Sequence, residues 1–285
     1  MLTPDSYVLT AASANALDVL DKLGDHISST SAHFSVDMTN DDTGGSGDYG
    51  VVVAPVGANE DWQMALWYDA DASSGGRIKA WIDPQGDISD PIDTASGSAQ
   101  SSPAQRIADS DAELSETLQS EFLVAEFANG LIVVQKADNA NEGTTRVSFV
   151  GRGLAPTFDS DPDQDLDGLI VLTCKRATQA VNATARLGAQ EWLSSIDPMQ
   201  NWSNAPSQLS SGRMRPNPLL VKEKGYSPYH FLGMMKWFYA WKRSETILTR
   251  LEDTSGTGGL LVLGNQNKAG DDRAAIPWDP SVRPT

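Results

Sequence analysis

Residues 121–137 read EFLVAEFANGLIVVQKA, two apolar runs divided by Asn129-Gly130. Asn-Gly suits a two-residue hairpin turn because both central positions take positive φ. The stretch therefore predicts a β-hairpin in which Phe127 faces Ile132 and Ala125 faces Val134. A second hairpin is predicted over residues 62–83, WQMALWYDADASSGGRIKAWID. Folding it about position 74 sets Trp67 opposite Trp81 and Asp69 opposite Lys79 on one face, with Leu66 opposite Ile82 and Tyr68 opposite Ala80 on the other. One register thus yields an aromatic pair, an ion pair and an apolar pair, each a favourable cross-strand neighbour. Because Asp83 shares the tryptophan face, that face is expected to be only partly buried within one chain and completed by another copy.

Outward from these hairpins, short apolar segments separated by Gly, Asp, Asn, Ser and Pro predict strands at 145–151, 168–175, 218–222, 230–240, 245–251 and 259–264. Residues 13–27, SANALDVLDKLGDHI, place Leu17, Val19, Leu20, Leu23 and Ile27 at helical spacing, with Ser13 as N-cap. A short helix is expected over Ala189 to Ile196. The fold class is mainly β: an antiparallel β-sandwich or jelly-roll-like arrangement with an N-terminal amphipathic helix. Residues 1–83 hold the helix and the first hairpin. Residues 84–118, rich in Ser, Ala, Asp and Pro, read as an extended arm longer than ordinary loops. Residues 119–285 form the β-rich remainder, packed with 1–83 as one large or two closely associated domains.

Composition excludes several classes. Among 285 residues there is one cysteine, Cys174, so no disulfide framework forms. No apolar run approaches the roughly 20 residues that span a bilayer. The opening MLTPDSYVLTAASANALDVLD has neither a basic start nor an apolar core of an export signal, which predicts a chain that stays where it is made. A net charge of -17 opposes direct binding to nucleic acid or anionic membrane. Asp outnumbers Glu 28 to 10 and Lys falls to 9, a profile suited to molar salt, where screening lets dense carboxylates coexist. The charge is uneven: residues 1–100 sum to -13, residues 101–200 to -8 and residues 201–285 to +4. The basic C-terminal third is expected either to meet an acidic surface, in the N-terminal part of its own chain or a neighbouring copy, or to form solvated strand edges protected by Lys and Arg.

Candidate chemistry is sparse. Asp163, Asp165 and Asp167 before Gly168 match the opening of a calcium loop, but Cys174 stands where such a loop supplies its bidentate Glu, so a complete EF-hand is excluded. What is left is an exposed acidic turn that at most holds calcium or another cation weakly; no other cofactor is expected. His26, His33 and His230 form no His-x-x-x-His pair, no Gly-x-Ser-x-Gly or Walker loop occurs, and Cys174 in LIVLTCK reads as a packed small side chain. No catalytic residue is assigned. In FLGMMKWFYAWKR, alternation puts Trp237, Tyr239 and Trp241 on one face of a strand. Together with Trp67 and Trp81 they are the candidate interface residues, since aromatic groups are enriched at contacts between chains.

The opening ALDVLDKLGDHISSTSAHFSV (16–36) and the closing FLGMMKWFYAWKRSETILTRLEDTSGTGGLLVLGNQ (231–266) resemble minor virion structural proteins of tailed viruses that infect haloarchaea. The resemblance implies a non-enzymatic tail, baseplate or neck component, assembled in the host cytoplasm and carried in the virion. Its implied partners are copies of itself and other virion proteins. It assigns no residue a role. Other readings stand beside it: a capsid decoration or carbohydrate-binding host-attachment β-module, a cell-surface or secreted carbohydrate-binding module, which would carry an export signal, and a halophilic cytoplasmic enzyme, which would carry a clearer polar constellation.

Overall fold

The computed structural model describes residues 3–41, 49–57, 62–69, 76–83, 105–109, 118–136, 146–155, 168–175, 179–187, 191–193, 196–198, 217–223, 231–242, 250–252, 258–264 and 272–284. Along the chain, β1 (Asp5–Thr10) precedes the helix α1 (Ala16–Ser29). Then come β2 (Phe34–Asp41), β3 (Tyr49–Pro55), β4 (Gln63–Asp69), β5 (Arg77–Asp83) and β6 (Gln105–Asp109), an antiparallel meander forming the N-terminal sheet. The strands β7 (Glu121–Phe127), β8 (Gly130–Gln135), β9 (Arg146–Arg152), β10 (Leu154–Ala155), β11 (Leu169–Lys175), β12 (Gln179–Leu187) and β13 (Glu191–Leu193) follow. All but β10 join β1 in a central sheet of order β1-β7-β8-β9-β11-β12-β13. Finally β14 (Ile196–Pro198), β15 (Asn217–Glu223), β16 (Phe231–Lys242), β17 (Arg250–Glu252), β18 (Gly259–Gly264) and β19 (Asp272–Pro277) build a C-terminal sheet, with β10 paired to β16. The chain is thus mainly β, with antiparallel sheets and a helix near its N-terminus.

The central sheet is covered on both faces. Leu123, Ala125, Ile132, Val134, Phe149 and Leu172 point into one core with Val221, Met235, Leu261, Leu263 and Trp278 of the C-terminal layer. Their neighbours Phe122, Val124, Leu131, Val133, Val150 and Val171 point the other way, against Leu20, Leu23 and Ile27 of α1 and Val53, Met64 and Leu66 of the N-terminal sheet. Successive strand residues face opposite sides, so a strand buried on both must be apolar throughout. This explains LIVV and LIVL in β8 and β11. Ser148 and Thr173, register partners on β9 and β11, donate to the carbonyls of Ile107 (2.8 Å) and Arg106 (2.7 Å) and so fasten the edge strand β6.

Several expectations are corrected in detail. The helix is capped by Asn15, whose Oδ1 accepts from the Asp18 amide at 2.8 Å, while Ser13 supports the Asn15 side chain and Leu17 is left 37% exposed. Both hairpins form, each slipped by two residues from the predicted pairing. In the first, Phe127 pairs with Gly130 and Ala125 with Ile132, so the turn is Ala128-Asn129 and Gly130 opens β8. Gly130 is required by packing: an added Cβ would lie 2.5 Å from the Phe149 ring and 3.2 Å from Trp237. Gly130→Val should therefore destabilise by about 1–3 kcal/mol through overpacking; an unchanged urea midpoint would refute this.

In the second hairpin, Trp67 pairs with Lys79, Ala65 with Trp81 and Asp69 with Arg77. Gly76 at φ 73, with the Tyr68 ring where its Cβ would be, fixes the strand to start at Arg77. A slip of two preserves faces, so the expected partners still meet diagonally. The Trp67 and Trp81 rings stand edge-on at 4.2 Å, and Lys79 Nζ lies 2.6 Å from Asp69 Oδ2. Within the expected arm 84–118, Gln105–Asp109 is instead a sheet strand; residues 84–104 and 110–117 lie outside the described set. Of the helix expected over 189–196, residues 191–193 instead form β13, which pairs with β12, and Ile196 opens β14; residues 189, 190, 194 and 195 lie outside the described set. Of the strand expected at 245–251, residues 245–249 lie outside the described set.

Candidate functional site

Two of the three histidines meet two carboxylates where α1 returns to the central sheet. His26, on the buried stripe of α1, places Nε2 2.9 Å from Glu126 Oε1 on β7; the two side chains are 4% and 0% exposed. Ser31, just past the helix, donates to the other oxygen, Oε2, at 2.6 Å, and its hydroxyl accepts from the amides of His33 and Phe34. Glu126 stands directly across the ladder from Asp5. Two like charges so placed oppose pairing. A second histidine answers the second carboxylate: His33 Nε2 lies 3.2 Å from Asp5 Oδ2. Tyr7, between them on β1, packs edge-on against His26 at 4.2 Å, and burial, then the charges of Glu126 and Asp5, hold its phenol above the ordinary range.

This arrangement holds chain segments together. The hydroxyl of Ser31 and the imidazole of His26 both end on one carboxylate, so the histidine is not positioned to activate that serine. The cluster escaped the sequence reading, although its members leave a trace: His26 interrupts an apolar helix stripe and Glu126 an apolar strand. Their separation of 100 residues hid the partnership.

The aromatic candidates divide. Trp67 and Trp81 are 3% and 1% exposed, buried with Val52 and Ala65 by this chain itself, so the expected completion by a second copy is not needed. On β16, the register with β15 jumps from Pro218–Tyr239 to Leu220–Met234, an advance of two residues on β15 against five on β16, so that β16 gains three. The bulge breaks the alternation on which a shared face for Trp237 and Tyr239 rested. Trp237 stacks on Phe127 at 4.4 Å and belongs to the core beneath the C-terminal sheet. Tyr239 instead packs with Leu260, Val262 and Ala275, and its hydroxyl donates to the Lys236 carbonyl at 3.1 Å. The side chain of Trp241 lies outside the described residues, as do Asp163, Asp165 and Asp167.

Cys174 faces the core, and burial pushes its thiol up to about 12. The folded chain keeps this proton where the unfolded chain loses it, so stability present below pH 9 falls as pH rises towards 12. The expected slope is about 1.4 kcal/mol per pH unit within that window. Cys174→Ala should flatten it, as followed by denaturant titration at several alkaline pH values; an unaltered slope would contradict the assignment.

Among the described residues, no helix is long and apolar enough to cross a membrane, and no group of three or more His, Cys, Asp or Glu side chains is arranged to hold a metal. Comparison with protein-family models and with curated proteins found no match.

Proposed function

We propose that the protein is a non-enzymatic structural component of a tailed-virus particle, in its tail, baseplate or neck, acting through contacts with copies of itself and other virion proteins. The observation that carries this reading is the use made of the chemistry-bearing side chains. His26 and Glu126 fasten the helix to the central sheet, Ser148 and Thr173 fasten β6, and Cys174 fills a core. Each joins layers of the fold.

The distribution of charge supports the same reading. The acidic first hundred residues supply α1 and most of the N-terminal sheet, and the basic last eighty-five supply most of the C-terminal sheet, with the central sheet between. Opposite net charge in the first and last parts of the chain suits contacts between neighbours, with apolar burial carrying the affinity where salt screens charge. Mass spectrometry of purified particles should find the chain, and native mass measurement in high salt should find an oligomer. Absence from particles, or a monomer that turns over a substrate, would overturn the proposal.

A further inference from the structure

We infer that β1 is a pairing edge at which two copies of this chain join antiparallel, so that their central sheets continue as one. The inference rests on the assembly reading and names the surface it uses.

Unpaired strand edges invite another chain, and proteins blunt them by shortness, bulges and charge. Five of the six edges described here are blunted in such ways. β13, β14 and β17 are three residues each. β2 shifts register between Val36 and Met38. β6 pairs across a register shift, and the carbonyls of Arg106 and Ile107 are occupied by Thr173 and Ser148. β1 differs: six residues pair with β7 without a shift, and Ser6–Thr10 contains no charge and no proline. Among the described residues, no backbone hydrogen bond reaches the side of Ser6, Tyr7, Val8, Leu9 or Thr10 that faces away from β7.

The edge fits itself. A two-fold axis normal to the sheet keeps each face on its own side and must pass through a residue position. Centred on Val8, it sets Val8 against Val8, Tyr7 against Leu9 and Ser6, whose hydroxyl already accepts from the Asp279 amide at 3.0 Å, against Thr10 of the second copy: aliphatic and aromatic pairs with no like charges opposed. Tyr7 and Val8 are the partly buried rims of the two cores, one on each face. The same pairing would cover both.

Register-specific cross-linking tests this. Directly opposed Cα atoms in an antiparallel pair lie about 4.5–5.5 Å apart, within disulfide range. Val8→Cys should therefore give a covalent dimer on mild oxidation, the native Cys174 being 1% exposed. Thr10→Cys should not, because four residues along the strands separate the two thiols by roughly 13 Å. Val8→Lys, which opposes two cations across the axis, should weaken the wild-type dimer at least about tenfold by native mass measurement. If the wild type is oligomeric but Val8→Cys does not link, or both cysteine variants link equally, the β1 edge is wrong and the assembly reading stands. A wild-type monomer in the high micromolar range defeats both the edge and self-assembly.

Discussion

Glu126→Ala is expected to cost about 2–4 kcal/mol, because buried donors lose their acceptor at about 1–3 kcal/mol each. The loss exceeds that of a single hydrogen bond because two donors, His26 Nε2 and Ser31 Oγ, are left beside a carboxylate-sized gap with no acceptor. Glu126→Gln keeps the shape and one acceptor oxygen and removes the charge facing Asp5, so its cost should be clearly smaller. Urea denaturation of both variants measures the difference. Equal losses would show that the carboxylate charge, which both variants remove, carries the effect, and that side-chain volume and the remaining acceptor oxygen do not.

Gly151→Ala is the second large effect. Gly151 sits at φ 140, and an added Cβ would lie 2.5 Å from the Asn129 carbonyl oxygen and 2.6 Å from Gly130 Cα. Both obstacles are backbone of the hairpin turn, held close by the Arg152 amide donating to that same carbonyl at 2.7 Å. Backbone strain of about 1–3 kcal/mol adds to overpacking of about 1–3 kcal/mol, for a total near 4 kcal/mol. Gly57→Ala is the control, since nothing lies within 4 Å of its added Cβ. Calorimetric midpoints should separate the two variants by many degrees; coincident midpoints would sink the argument.

The strands of the central sheet were legible because double burial writes long apolar runs, and the faces of both hairpins because a pleat of period two survives a slip of two residues. Register was not legible. Gly130 looks like a turn residue in isolation, and only the Phe149 ring from β9 and Trp237 from β16 show why glycine stands there. The opposite faces of Trp237 and Tyr239 were hidden for a related reason, since the bulge in β16 is defined by pairing with β15. In the sequence β6 reads as part of an arm because its five residues carry a weak pattern; what fixes it are hydroxyls from β9 and β11. The histidine–carboxylate cluster joins positions 5, 26, 33 and 126, and no local pattern predicts that meeting.

Alternate residues of a single strand, such as Leu131 and Ile132, serve different cores. Neither core can therefore melt by itself without stripping one side of the strands that the other still needs. Heat should meet one cooperative unit across the layers, and a lesion beneath the C-terminal sheet should loosen amide protection around the helix on the far side. A pull on one layer is therefore resisted by all of them.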